Sequence, residues 1–303
     1  NYLLKKKKYK IDIIDNLSKG KKDQSLKELI KDPKIKFFHH DVSVKKIQLK
    51  ERNYSYIFQL AAILGVDNVI KNPSNVLIKN FNIQINSLEF AKKQKKLNRF
   101  IFSSTSEIHI GNEKLKELNF PTQENFKIIL DDIKNPRTTY SLSKIYGEAL
   151  LLHSSLPYSI IRPHNLYGQR MGDLHVIPQL FTKIDKLKNN EVLPLHSQNH
   201  KRCFCYISDA IEQIYTIMNN KKAVNTIFNI GNNLEEISIK QLALIIGNIV
   251  NKKFLIKSKE FNNSSPKKRI PSLTKVNKLK KTKFKYTNIQ DGCLKYYEWK
   301  ISN

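Results

Sequence analysis

The sequence predicts an α/β fold: a doubly wound parallel sheet with a smaller, interleaved C-terminal α/β domain. Three observations predict it. Apolar strand-like runs alternate with helix-like stretches through roughly the first 170 residues, which argues for a parallel sheet with helices on both faces. The first run, Ile11 to Ile14, ends in Asp15 and a turn over Asn16 to Gly20, as the second strand of a nucleotide-binding βαβ unit does, with an acid at its tip to hold a ribose. After residue 168 the alternation loosens, which marks the smaller domain. We expect a nucleotide-binding domain over 1–167 and 203–232, and a substrate domain over 168–202 and 233–303.

The elements follow in order. "NYLLKKKKYK" reads as the tail of a helix, its lysines suited to a C-terminus. "KIDIID" is a strand and 23–31 a polar helix. "IKFFHHDV" (35–42) and "YSYIFQLAA" (54–62) are strands, and 75–94 has helical period. "RFIFSSTSE" (99–107) is a strand ending in hydroxyls, 140–155 a helix, and "PYSIIRPHNLYG" (157–168) a strand with its loop. Beyond these come a helix in "HVIPQLFTKIDKL", a strand and helix in "KRCFCYISDAIEQIYTIM", a strand in "TIFNIGN", an amphipathic helix in "QLALIIGNIV" and a basic tail. Ligands in such sheets sit outside the carboxyl ends of the strands. The residues that follow strands therefore carry the functional reading: Asp15, Asp41, Ala61, Ser103 to Glu107, and Arg162 to Asn165.

Composition narrows the classes. With 303 residues and 40% hydrophobic content, a real core and about two domains are expected. No stretch reads as a membrane span. The three cysteines are an odd number and suggest no disulfide framework. Cys203 and Cys205 without a further Cys/His pair read as packing, so no metal is expected, and a reducing cytoplasm fits. The net charge of +28 raises nucleic acid as a partner. The lysines are spread along the whole chain, densest over 266–285, and no nucleic-acid motif accompanies them. A solvated basic surface is the preferred reading.

Tyr140 and Lys144 are four apart on a predicted helix, hence one turn apart on one face. A phenol beside an ammonium has a lowered pKa and can act as a base near neutrality. The same spacing recurs at Tyr2/Lys6 and Tyr296/Lys300. Only Tyr140 opens a long helix after a strand that ends in "SSTSE".

The segments "DNLSKG", "QLAAILGVDNVIKNP", "FIFSSTSEIHIG", "NPRTTYSLSKIYGE", "IIRPHNLYG", "KRCFCYISDAI", "NIGNNLEEISI" and "KKRIPS" stand in one order along most of the chain. Together they resemble the extended short-chain dehydrogenase/reductases of the NAD-dependent nucleotide-sugar epimerase/dehydratase group, with a Rossmann-type sheet. The resemblance implies NAD as cofactor and a nucleotide-diphosphate sugar as substrate. It puts Asp15 and Asn16 beside the adenosine ribose, Asp41 and Val42 at the adenine, and Ala61, Ala62, Ser103 and Pro163 along the cofactor. Ser103 reads as a strand-end hydrogen bonder rather than a catalyst. Thr105 would bond the reacting sugar oxygen. Tyr140 would take the proton of the sugar 4-hydroxyl, and Lys144 would hold the nicotinamide ribose and keep the phenol acidic. Asn165 would contact substrate, and Arg202 and Arg269 would hold its diphosphate or ribose. His109 stands where these proteins usually have Tyr, and "EIHIG" is one residue longer than their "EVYG". The resemblance also implies a homodimer through the helices at 75–94 and 140–153.

These relatives share oxidation at sugar C4. A 4,6-dehydratase usually carries Asp-Glu after the threonine, where Ser106-Glu107 stands here. A UDP-uronate decarboxylase often shows Thr-Ser-Glu with a nearby Arg, which "STSE" and "KRCF" match. UDP-sugar 4-epimerases are the broader class and tolerate Glu here. Epimerase is put first on that ground, with UDP-glucuronate decarboxylase (UDP-xylose synthase-like) and 4,6-dehydratase as alternatives. Glu107 joins Thr105, Tyr140 and Lys144 as a candidate catalytic residue. A non-catalytic nucleotide- or RNA-binding protein of the same fold is the reading from another class; the intact Thr105/Tyr140/Lys144 set speaks against it.

The acid of a dinucleotide fold follows its glycine fingerprint by about 20 residues. The first of nine glycines is Gly20, and none forms GxxGxxG. We therefore expect the fingerprint to lie before residue 1. On that expectation the chain is a fragment without the first strand and pyrophosphate loop, binding NAD poorly and possessing little or no activity of its own.

Overall fold

The computed structural model describes residues 1–20, 22–49, 53–259 and 267–302. In chain order the elements begin α1 (Tyr2–Lys5), β1 (Ile11–Asp15), α2 (Gln24–Leu29), β2 (Ile35–His39), β3 (Tyr56–Gln59), α3 (Val66–Lys71), α4 (Pro73–Lys92) and β4 (Arg99–Ser103). A 3₁₀ turn over Ser106–His109 leads into α5 (Ile110–Lys114), then α6 (Thr138–Leu152), β5 (Tyr158–Pro163), β6 (Leu166–Tyr167), α7 (Val176–Asp185), β7 (Val192–His196), β8 (Lys201–Cys203) and β9 (Cys205–Tyr206). The chain continues through α8 (Ile207–Asn219), β10 (Thr226–Ile230), β11 (Glu236–Ser238), α9 (Ile239–Ile249), β12 (Leu255–Lys259), β13 (Lys268–Arg269), α10 (Thr274–Asn277) and α11 (Ile289–Ile301).

Two compact units are formed, residues 1–102 with 134–158, and residues 103–133 with 159–303. The sequence divides the chain by ligand; these units divide it by compactness. In the first unit β1 and β2 pair in parallel, with Ile11 opposite Ile35 and Asp15 opposite His39. β3 and β4 also pair in parallel, Tyr56 opposite Arg99. Among the described residues these two pairs share no ladder with one another. α4 starts with Pro73, whose missing N–H costs nothing at a helix start. It buries Val76, Asn80, Ile83, Gln84, Ser87, Phe90 and Ala91, at spacings of three, four and seven that make one helical face. Part of that face meets α6: Gln84 Nε2 donates to Ser143 O at 2.8 Å, Asn80 Nδ2 to Ser143 Oγ at 3.2 Å, and Phe81 stacks on Tyr146 at 4.1 Å.

In the second unit β5 pairs in parallel with β10. β8 lies between antiparallel β11 and parallel β13, and β7 pairs in parallel with β12. The core gathers Ile177 and Phe181 of α7, Leu242 and Ile246 of α9, and Tyr296 of α11 around Leu193 and Tyr206. α9 begins with a capping box in which Ser238 and Gln241 satisfy each other's backbone N–H.

Two expectations need correction. The run 99–107 is not strand throughout: β4 stops at Ser103, because Thr105 caps the 3₁₀ turn, its Oγ1 accepting from Glu107 N at 3.2 Å. Nor is the C-terminal part a basic tail. It carries β13, α10 and α11, and α11 buries Ile289, Gly292, Cys293 and Tyr296, an apolar face hidden among lysines. Pro266, at the start of the basic stretch, lies outside the described residues.

The segment that leads from β4 toward the candidate site is held by a close backbone approach. A Cβ on Gly111 would stand 2.1 Å from Ile129 O, and a carbonyl cannot step aside as a side-chain tip can. Gly20 has nothing within 4 Å of the same added atom. Gly111→Ala is expected to destabilise by about 1–3 kcal/mol, with Gly20→Ala within about 0.5 kcal/mol of wild type. Chemical unfolding midpoints check both; equal midpoints would contradict the packing described for this segment.

Candidate active site

The first unit gathers the residues expected at the adenosine end. Asp15 closes β1, and its Oδ1 accepts from Leu17 N at 2.6 Å. Asn16 Nδ2 donates to Asp41 Oδ2 at 2.9 Å. Burial raises the Asp41 carboxyl, but hydrogen bonds from Ser43 and Asn16 and the Lys79 charge outweigh it and leave the pKa below the ordinary value. Val42 O accepts from Asn86 Nδ2 at 2.7 Å, which fastens this loop to α4. Ala61 O accepts from Gln59 Nε2 at 2.9 Å. Both polar groups of the Asn80 amide clasp the Ile63 backbone, at 2.7 and 3.1 Å. Asp15, Asn16, Asp41 and Val42 are thus brought together, and Ala61 and Ala62 follow β3 in the same unit.

Tyr140 and Lys144 lie on α6 of this unit, as expected. Lys144 is 2% exposed, and its Nζ stands 6.0 Å from the Tyr140 ring centroid and 5.2 Å from that of Phe102. Burial lowers its pKa to about 8, although the Glu148 carboxylate one turn on pulls the other way. A lysine held there is a cation that charges and discharges near neutrality. That suits a group that must support a neighbouring phenolate.

The second unit gathers the substrate-side residues. Ser103, Thr105 and Glu107 follow one another from the end of β4 into the 3₁₀ turn. Glu107 Oε1 lies 3.6 Å from Arg269 Nη2. Arg269 stands opposite Arg202 in the parallel β13–β8 register. Arg202 is 8% exposed, and burial together with the Arg269 charge lowers its pKa to about 10, while Glu113 and Glu107 act the other way. Pro163 ends β5. Asn165 takes the left-handed conformation, φ 44°, which Asn tolerates better than most residues. Its Nδ2 donates to Cys203 O at 3.1 Å, and its O accepts from Cys205 N at 3.2 Å. Glu107, Arg202 and Arg269 are therefore one charged cluster, and Asn165 is anchored to the strand that carries Arg202.

Two residues here were not found from the sequence. Glu113 Oε1 accepts from Lys267 N at 2.6 Å and so holds the start of β13. Burial raises its pKa, against the Arg269 and Arg202 charges and the Lys267 and Lys268 N–H bonds. The backbone it holds, at Lys267, is 154 positions away, and no spacing rule reaches that far. His164, within the strand-end stretch Arg162 to Asn165, has a bonding partner that the sequence did not show: its Nε2 lies 3.2 Å from Asn229 Oδ1. His109 is 3% exposed, inside the unit rather than on its surface. Cys203 and Cys205 are buried free thiols. Among the described residues no group of three His, Cys, Asp or Glu is placed to hold a metal ion, and no helix is long and apolar enough to cross a membrane.

Residues 1–231 match the NAD dependent epimerase/dehydratase family. The chain belongs to that family. Its curated relatives include the bifunctional polymyxin resistance protein ArnA of Wigglesworthia glossinidia brevipalpis, 30% identical over 82% of this chain and 39% of that protein. Another is the UDP-N-acetyl-alpha-D-glucosaminuronate decarboxylase of Bacillus cytotoxicus, 28% identical over 79% of this chain and 72% of that protein. The chain thus spans well under half the length of the first and nearly three quarters of the second. Among solved structures, the UDP-glucuronic acid 4-epimerase of Bacillus cereus in complex with UDP-glucuronic acid and NAD shares the fold. It has a TM-score of 0.84 and 23% identity, over 99% of this chain and 94% of that one.

The Lys144 pKa makes a stability prediction. The folded value, about 8, lies below the ordinary unfolded value of about 10.4. Between the two, the unfolded state binds more protons, so stability rises with pH, by up to about 3 kcal/mol once the unfolded lysine has also lost its proton. Chemical denaturation from pH 7 to 10 should show that rise in wild type relative to Lys144→Met, which lacks the group. Parallel pH profiles for the two proteins would contradict the burial described.

Proposed function

We propose that the protein oxidises a UDP-uronic acid at sugar C4 and releases its C6 carboxylate as carbon dioxide. The observation that carries this reading is the Glu107–Arg269 pair, with Glu107 two residues after the cap residue Thr105. Two comparisons support it: a curated relative named for decarboxylating a UDP-uronate, and a structural neighbour that holds UDP-glucuronic acid and NAD. The residues fit NAD at two ends, with the Asp15/Asn16/Asp41 cluster for the adenosine and the buried Lys144 for the nicotinamide ribose. Ala61, Ala62, Ser103 and Pro163 would border the cofactor between them. Bound NAD supplies the acceptor for the hydride of C4.

The chain's own groups do the rest. Tyr140, with the Lys144 Nζ 6.0 Å from its ring centroid, takes the 4-hydroxyl proton. Thr105 Oγ1 already accepts Glu107 N–H, so its own proton is available to the reacting sugar oxygen. Arg202, Arg269 and Asn165 hold the UDP portion and the sugar. A ketone at C4 makes the C6 carboxylate a β-keto acid. The C5–C6 bond then breaks, carbon dioxide leaves, and the electron pair delocalises onto the C4 oxygen. C5 must regain a proton; Glu107 takes one from solvent and delivers it, while Arg269 holds the carboxyl in place. The expected division by ligand, 1–167 with 203–232 for cofactor and 168–202 with 233–303 for substrate, belongs to this proposal.

The second reading is a UDP-sugar 4-epimerase, favoured by the breadth of that class among the structural neighbours. Either enzyme would work in a reducing cytoplasm as a homodimer. Ile78 and Ile85 of α4, 58% and 36% exposed, are seven residues apart on one face and suit the dimer contact.

The test is incubation with NAD and UDP-glucuronate at millimolar concentrations, read by mass spectrometry. The expected product has lost carbon dioxide, and Glu107→Gln is expected to slow formation of the C5-protonated product about a hundredfold. A product of unchanged mass and inverted C4 would replace this reading with the epimerase one. Light scattering of the same preparation should give twice the mass of one chain.

A further inference from the structure

Glu148 stands one turn beyond Lys144 on α6 and is 3% exposed. Residues four apart on a helix share a face, with Cβ atoms about 5–6 Å apart. A cation and a carboxylate are therefore buried side by side. Their order is the weaker one for a helix, since an acid placed before a lysine adds more than one placed after it. Helix stability does not explain the pair. A carboxylate taken out of water is costly unless a cation balances it.

Packing closes the face between them. A Cβ on Gly147 would stand 2.5 Å from Phe102 Cζ and 2.8 Å from Gln84 Cδ, so α6 lies hard against β4 and α4. What α4 contributes here is neutral: the amides of Gln84 and Asn80, both bonded to Ser143. β4 contributes the Phe102 ring, 5.2 Å from Lys144 Nζ. On α6 itself the titratable neighbours are the Tyr140 phenol, one turn back, and Tyr146, which stacks on Phe81. The charged groups of α4 and β4 lie elsewhere. Glu89 pairs with Lys46 at 3.0 Å, Lys79 bears on Asp41, Lys92 closes α4 and Arg99 opens β4. With little water or salt between them, the Lys144 and Glu148 charges are weakly screened.

We propose that Glu148 is a positioning residue for the reaction: the buried counter-charge that keeps Lys144 an ammonium at neutral pH beside the Tyr140 phenol. The proposal rests on the nucleotide-sugar reading, in which that phenol takes a proton, and adds to it the residue that sets the charge behind the base. Burial alone favours the neutral amine, and the carboxylate opposes burial. An amide at position 148 keeps the shape of the side chain and removes only its charge. It therefore separates this role from a packing role.

NMR of the lysine and glutamate side chains tests this, followed from about pH 6 to 10 in wild type, Glu148→Gln, Glu148→Asp and Lys144→Met. In Glu148→Gln, Lys144 should titrate at least about one pH unit lower than in wild type, a tenfold change in its ionisation constant. Glu148→Asp, which keeps the charge on a shorter arm, should restore most of the difference. In wild type the Glu148 carboxyl carbon should move as Lys144 loses its proton, and in Lys144→Met it should stay in place over that range. The wild-type measurement does not depend on any variant folding. A Glu148 carbon unmoved by the Lys144 titration would overturn the counter-charge, as would equal Lys144 titrations in Glu148→Gln and wild type. These measurements need neither substrate nor turnover, so their failure is distinct from failure of the UDP-uronate reading, which product analysis decides.

Discussion

Two guanidiniums stand side by side on neighbouring parallel strands, and the substrate-side unit is arranged around that fact. Arg202 and Arg269 occupy one register position of β8 and β13, and neither is well exposed. Arginine does not shed its proton when crowded, unlike lysine. Like charges this close must therefore be offset by acids or by an anionic ligand. The chain supplies the acids from a single short segment. Glu107 approaches Arg269, and Glu113 fastens the backbone that leads into β13. For that segment to reach, Gly111 must pass against the carbonyl of Ile129. On the proposed function, the diphosphate of a nucleotide sugar would join the same charge balance.

The other unit holds a cation of the opposite kind. Lys144 is buried beside the Tyr140 and Phe102 rings, with the Glu148 carboxylate one turn on, and burial brings its pKa to about 8. A point charge that can be given up is useful beside a phenol that must lose and regain a proton. On the proposed function the two arginines bind and the lysine tunes, each residue type standing where its own chemistry is needed.

Much of this was readable from the sequence because it is local. The acid closing β1, the hydroxyls after β4, and Tyr140 with Lys144 one turn apart are each fixed by a few neighbouring residues. Strand ends were less legible. β4 stops at Ser103 because a side-chain cap at Thr105 takes over, and periodicity does not encode that. The face of α11 was legible in principle, Ile289, Cys293 and Tyr296 being spaced by four and three, but the surrounding lysines obscured it. Glu113 and His164 were beyond reach. Their roles come from partners far along the chain, Lys267 for one and Asn229 for the other.

The central claim is that a C4 ketone is used to expel C6, with Glu107 and Arg269 returning a proton to C5. Running the reaction in heavy water and locating deuterium in the product tests it most directly. Decarboxylation by this route places one solvent deuteron on C5 of a pentose. A product that keeps all six sugar carbons and carries no deuterium at C5 would contradict it.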